Sequence, residues 1–162
     1  MLWNLLFPSK LEPVLLETWN RYQRYPLGKS FFNWILWLNV PYTGSIRPEV
    51  LELSPGHARV RIKDRRLLRN HLNSIHAAAL MNLAEVTSGL AFVVGVPKTA
   101  KAIVTGFQME YLKKARGTLI GECDCQVPAS NEVGEYEVEA LIKNAEGVIV
   151  AKGRARWRVG PL

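Results

Sequence analysis

The sequence predicts an α+β domain: one strongly curved antiparallel sheet wrapped around one long central helix, with an N-terminal helical extension. Three observations predict it. Residues 74–94 read as a single helix that is apolar nearly all round, and a helix without a polar face has to be buried. A hairpin pattern precedes that helix and four strand-like runs follow it, with none of the strand-helix alternation that builds a parallel sheet. The chain has 162 residues, 48% hydrophobic and 22% charged, which suffices for one domain with a real core and excludes intrinsic disorder.

In chain order, Leu11, Leu15, Trp19 and Tyr22 recur at helical spacing and predict an amphipathic helix ending before Pro26-Leu27-Gly28. A second short helix is predicted over residues 30–38, with Ser30 as its cap. Together they form an extension over residues 1–44, rich in aromatic side chains (Trp3, Trp19, Phe31, Phe32, Trp34, Trp37), expected to pack rather than to touch substrate. The main domain is expected over residues 45–162. It begins with a hairpin, residues 50–53 and 58–63 around the turn Ser54-Pro55-Gly56. Arg59, Arg61 and Lys63 share one face of the second strand; Ala58, Val60 and Ile62 share the other. The central helix carries Ala77, Ala78, Ala79, Ala84 and Gly89, small residues that permit close approach, and Ser74 or Asn73 is its expected cap.

Strands are predicted near residues 102–114, 118–127, 135–143 and 148–159, with turns at Arg116-Gly117 and Ala145-Glu146-Gly147. With the last hairpin centred on Ala145-Glu146, Glu139 faces Lys152, Glu137 faces Arg154 and Glu135 faces Arg156. That is a solvent-facing ladder of opposite charges, with Arg158 left over.

The 21 Lys and Arg against 14 Asp and Glu give a net charge of +7, which favours an anionic partner. Facing glutamates answer part of that charge, and no helix-turn-helix, RNA-recognition motif or zinc finger is present, so no nucleic-acid partner is expected. Cys123 and Cys125 are too few for a disulfide framework and have no metal-ligand pair near them; no metal is expected, and the cysteines read as small buried hydrophobes. The N-terminus lacks a basic region and a cleavage site, and no run is long and pure enough for a membrane span, so a cytoplasmic protein is expected.

Chemistry concentrates around the central helix. Glu85 is the sole ionisable residue between His76 and Lys98, and a carboxylate alone on an apolar helix must be paired, protonated or functional. At the helix start, Ser74 to Ala77 leave free N–H groups with the positive dipole end behind them, suited to a phosphate or a developing oxyanion. Asn70 and His76 stand ready to contact whatever docks there.

The string from Asn70 to Glu85 (NHLNSIHAAALMNLAE) resembles the signature of the hot-dog-fold acyl-CoA thioesterases, specifically the phenylacetyl-CoA thioesterase-like group. That signature has an Asn, a His-Gly-Gly helix start six residues on, and an acidic residue nine beyond the His; Asn70, His76 and Glu85 keep both offsets. Phe107–Ala115 and Ala151–Ala155 look like the family's third and last strands, so the resemblance covers residues 45–159. Ala77-Ala78 replace the glycine pair and Glu85 the usual Asp. The sequence is most similar to a poorly characterised bacterial branch of the superfamily.

The resemblance implies hydrolysis of an acyl-CoA or acyl-carrier thioester, with CoA as part of the substrate and no other cofactor. The Ala77 N–H would polarise the thioester oxygen, Asn70 and His76 would position the thioester, and Glu85 would activate water or attack. Ala77 and Glu85 are eight residues apart on one helix, about 12 Å, too far to act on one carbonyl. Their cooperation needs Glu85 from a second, antiparallel copy, so a homodimer is expected, possibly a dimer of dimers. Lys113, Lys114 and Arg116 are the expected contacts for the CoA phosphates. The alternative function is a non-catalytic acyl-CoA or lipid-binding protein on the same fold. A dehydratase ranks lower, since no Asp-x-x-x-x-His pattern pairs with His76.

Overall fold

Apolar spacing sets the two leading helices against the sheet. The computed structural model describes residues 11–162, with side chains from residue 14; Trp3 and the N-terminal stretch read against a signal peptide lie outside the described residues. Helix α1 (Leu11–Tyr22) ends ahead of Pro26 as its periodicity predicts and buries Leu15 and Trp19. Helix α2 (Gly28–Asn39) starts earlier than predicted, so Ser30 lies inside it and is not its cap. The cause is a tight reversal: a Cβ on Gly28 would stand 1.7 Å from the Tyr22 carbonyl oxygen, and Leu27 turns the chain at φ 63. A single turn, α3 (Pro41–Gly44), follows without a separate signal in the sequence pattern. Trp19 and Phe32 meet edge to face at 5.1 Å and lock α1 onto α2.

The sheet comprises β1 (Glu49–Ser54), β2 (His57–Ile62), β3 (Ala100–Tyr111), β4 (Leu119–Asp124), β5 (Gly134–Lys143) and β6 (Ile149–Pro161). Its order is β1-β2-β4-β5-β6-β3, and every neighbouring pair is antiparallel. Helix α4 (Ala77–Val93) lies in the curve of this sheet and contacts all six strands. One curved antiparallel sheet around one helix is the hot-dog fold that the sequence predicts.

Small residues allow the helix to sit so close. A Cβ on Gly153 of β6 would fall 2.5 Å from the Ala84 Cβ, and one on Gly121 of β4 would fall 2.4 Å from the Thr87 hydroxyl. Ala58, Val60 and Ile62 fill the inner face of β2, as their alternation requires. On the outer face Arg59 pairs with Glu52 and Glu122, Arg61 and Lys63 with Glu49, and Lys143 with Glu122. Cys123 is buried and Cys125 half-buried, both free thiols. The neighbouring Cys125 side chain and burial push the Cys123 thiol above its ordinary range, which keeps it unreactive.

The last hairpin departs from its predicted register by two residues. Glu139 faces Arg154, Glu137 faces Arg156 and Glu135 faces Arg158, while Lys152 lies opposite Leu141. The connection closes with the Asn144 N–H donating to the Val148 carbonyl, and an irregularity at Ile142/Lys143 adds a further residue to β6. Arg158 is therefore not left over. Arg154 makes the ion pairs here, with Glu139 at 2.9 Å and with Glu110 on β3 at 3.9 Å.

The two edges of the sheet differ. Along β1, α2 covers the backbone: the Val50 N–H donates to Asn33 Oδ1 (2.9 Å), and Lys29 Nζ donates to the Leu51 carbonyl (2.7 Å). Trp37 Nε1 also reaches the Pro48 carbonyl, at 2.9 Å. The opposite edge is the 12-residue β3, which pairs only with β6 among the described residues and exposes Ile103 and Val104. No described helix is long and apolar enough to cross a membrane.

Candidate active site

The helix start differs from its predicted form in a way that exposes one donor. His76, not Ser74 or Asn73, is the N-cap of α4, and its Nδ1 accepts from the Ala78 N–H at 3.1 Å. The His76 carbonyl accepts from Ala79 and Leu80. The Ala77 N–H is left without an acceptor among the described residues, on an exposed residue at the positive end of a 17-residue helix. Ser74 and Asn73 serve the approach loop. Ser74 Oγ donates to the Ala115 carbonyl (2.8 Å), and Asn73 takes φ 53.

Asn70 organises that loop. Its Oδ1 accepts from the N–H groups of Leu72 (3.0 Å) and Ser74 (3.2 Å), so the side chain orients the backbone that leads to His76. The end of β3 and the segment after it dock on the same spot. Ile75 N–H donates to the Ala115 carbonyl (2.8 Å), and the Tyr111 hydroxyl donates to the Ala77 carbonyl (3.3 Å). Lys113 and Lys114 therefore stand exposed beside the helix start, with no ion pair among the described residues. Arg116 is engaged instead: its guanidinium donates to the carbonyls of Asn73 (3.1 Å) and Leu72 (3.4 Å), which ties the loop down.

Glu85 lies two turns further along α4, on the face shared by Ala77, Met81 and Gly89. These four residues are exposed or half-buried, while Leu80, Leu83, Ala84 and Thr87 are buried against the sheet. The Glu85 carboxylate has no hydrogen-bond or ion-pair partner among the described residues, and burial pushes its pKa above the ordinary carboxylate range. It lines a pocket of about 210 Å³ whose other walls are mostly apolar: Leu15, Leu36, Val40, Leu90, Val93 and Trp157 among them. So the structure gathers Asn70, His76, Ala77, Lys113, Lys114 and Arg116 at the helix start. It leaves Glu85 about 12 Å away on the same chain. Tyr111 and Trp157 belong to this neighbourhood and were not singled out by sequence. Tyr111 lay within a recognised strand string, whereas Trp157 was hidden among the arginines of β6.

The model of the family described as "Domain of unknown function (DUF4442)" matches residues 28–159. The chain belongs to the DUF4442 family. That match begins at Gly28, so it takes in α2 as well as the sheet and α4. No curated protein matches the sequence. Among solved structures, this DUF4442 chain is similar to the genomics protein APC5556: 27% identity, TM-score 0.80, covering 91% of this chain and 99% of that one. A protein of unknown function from Pseudomonas aeruginosa, a probable thioesterase, is 21% identical with TM-score 0.68, covering 75% of this chain and 88% of that one. A protein from Streptococcus mutans, solved bound to acetyl-CoA, is 20% identical with TM-score 0.60, covering 70% of this chain and 89% of that one. The similarity to the thioesterase-like structures establishes the hot-dog fold for this DUF4442 chain.

Proposed function

We propose that the protein hydrolyses an acyl-CoA thioester at a site shared between two subunits. The observation that carries the reading is the Ala77 N–H at the positive end of α4, without an acceptor among the described residues, with a desolvated carboxylate, Glu85, on the same helix face. The thioester oxygen accepts from the Ala77 N–H, which is aimed at charge that develops as the carbonyl becomes tetrahedral. Glu85 of the second copy takes a proton from water as the water attacks, or attacks the carbonyl directly. When water attacks, collapse of the intermediate breaks the carbon–sulfur bond, the proton taken by Glu85 passes to the leaving sulfur, and the CoA thiol and a carboxylic acid are released. When Glu85 attacks, collapse releases the CoA thiolate and leaves a mixed anhydride on Glu85. Water then hydrolyses the anhydride to the acid, with a proton from that water going to the thiolate. Asn70 and His76 hold the thioester against the helix start. A raised pKa suits Glu85 as a base, because burial strips it of the water that would otherwise stabilise its charge.

Two features support the second copy. The 12 Å along one helix exceeds the span of one carbonyl and its attacking water, and β3 presents a long edge that no described strand covers. Lys113 and Lys114, exposed beside the helix start, suit the phosphates of the CoA arm, while Arg116 shapes the loop they stand on. The acetyl-CoA bound by the Streptococcus mutans relative supports the same ligand class. A cytoplasmic location, where acyl-CoA is made and consumed, belongs to the same reading.

The test is free-thiol release from a panel of acyl-CoAs, short to long and aromatic, by the wild type and by Glu85→Gln. The wild type should turn over part of the panel, and Glu85→Gln should lose hydrolysis while keeping its oligomeric state. Full activity in Glu85→Gln contradicts the assignment. Acyl-CoA binding by the wild type without thiol release would favour the non-catalytic alternative.

A further inference from the structure

We propose that the N-terminal extension closes an acyl-chain pocket beside Glu85, and that α2 sets the length of straight acyl chain the protein prefers. This rests on the thioesterase reading and names the substrate class for it. It departs from the expectation that the extension packs without touching substrate. Leu15 of α1 and Leu36 and Val40 of α2 line the pocket together with Leu90 and Val93 of α4. Of the lining side chains, Thr43 and Glu85 alone carry oxygen, and no Lys or Arg is among them. A site of this composition takes hydrocarbon and rejects the phosphates of CoA. The two ends of an acyl-CoA are thereby told apart: Lys113 and Lys114 stand exposed at the helix start, and the apolar pocket lies beside Glu85.

Along α4 the lining residues Glu85, Gly89 and Val93 follow at four-residue spacing on one face, about 12 Å from first to last. The middle position carries no side chain. A Cβ on Gly89 would meet the Trp157 ring at 3.4 Å, an ordinary contact, and Gly89 is not among the glycines with positive φ. Neither packing nor backbone conformation therefore requires glycine there, while a glycine inside a helix costs stability relative to alanine. Its missing side chain leaves a track open from Glu85 to Val93, with Leu36 and Val40 of α2 on the same lining. In the shared site Glu85 of one copy meets the thioester at Ala77 of the other. The chain therefore enters the copy that supplies Glu85, while the CoA arm lies on the copy that supplies Ala77.

The experiment measures kcat/KM for straight-chain acyl-CoAs of increasing length in the wild type, in Val40→Phe and in Val93→Phe, which narrow the pocket from α2 and from α4. Both positions are half-buried, so a larger side chain does not have to displace the core, and if one variant fails to fold the other decides. In the wild type each methylene inside the pocket should raise kcat/KM by about fourfold, until the chain outgrows the pocket and the profile levels off. Each variant should level off about two methylenes earlier, a loss of about tenfold at the length the wild type prefers. A wild-type profile that is flat with length overturns the proposal, as do variant profiles that coincide with it. Dissociation constants of non-hydrolysable thioether analogues read the same profile without turnover. A length profile in binding that the variants truncate, with no thiol release, refutes the hydrolase reading and keeps the pocket; hydrolysis with no length profile does the reverse. Mixing Val40→Phe with Ala77→Pro tests which copy holds the chain. Mixed dimers should regain long-chain hydrolysis that neither variant has alone. No such gain, in a mixture that contains mixed dimers, overturns the placement of the chain in the copy that supplies Glu85.

Discussion

In the proposed mechanism the backbone of Ala77 is the acting group, so side-chain scanning by alanine would pass over it. Proline is the informative substitution: it is tolerated at the first position of a helix and removes only the N–H. His76, at φ −63 and ψ 141, already has the backbone conformation that a residue preceding proline requires. Ala77→Pro should therefore fold with α4 intact and lose about 10²–10³ in kcat, the cost of one oxyanion donor. Retention of full kcat would remove the Ala77 N–H from the mechanism. At Glu85 the folded state raises the pKa, so the native protein holds this proton to higher pH than the unfolded chain does. Two consequences follow for one residue. The acidic limb of kcat/KM should fall above the range of an ordinary glutamate, because the active form is the ionised one. Stability should drop as pH rises from the ordinary glutamate range through the raised value, and Glu85→Gln should be at least as stable as the wild type at neutral pH. Melting temperatures across that window check the sign, and a strongly destabilised Glu85→Gln at neutral pH contradicts it.

Among the elements, faces were legible and partners were not. A strand's side chains alternate, so the charged face of β6 and the apolar face of β2 follow directly from sequence. Register depends on the length of the connection and on bulges, and the loop after Lys143 together with the irregularity at Ile142/Lys143 moved the pairing by two residues. An even shift keeps every face correct while changing every partner. Double-mutant cycles in thermal unfolding should accordingly find coupling between Glu139 and Arg154 and none between Glu139 and Lys152. The opposite result would restore the centred turn. The cap of α4 shows the same limit: Ser74 and Asn73 have cap chemistry, but His76 lies where the chain enters the helix, and local preference cannot choose between neighbours. The pocket was beyond the sequence altogether, because α1, α2, α4 and β6 meet there from residues as far apart as Leu15 and Trp157.

For the whole molecule, the decisive geometry for the proposed chemistry is the separation of Ala77 and Glu85 along one helix, about 12 Å. Hot-dog architecture and the Asn70–His76–Glu85 spacing were legible because buried-helix periodicity and motif offsets are local properties. The proposed cooperation between copies rests on the helix rise and on a β3 edge that no described strand covers, on the side away from the helix-capped β1. Subunit complementation tests it most directly. Ala77→Pro and Glu85→Gln are prepared separately, co-refolded, and assayed for acyl-CoA hydrolysis beside each variant alone. In a mixed dimer one site has both defects and the other has neither. With random pairing, half of the dimers are mixed and each carries one intact site, so about a quarter of wild-type activity should return. A mixture in which mixed dimers form but activity stays at the level of the separate variants would contradict a site built from two chains.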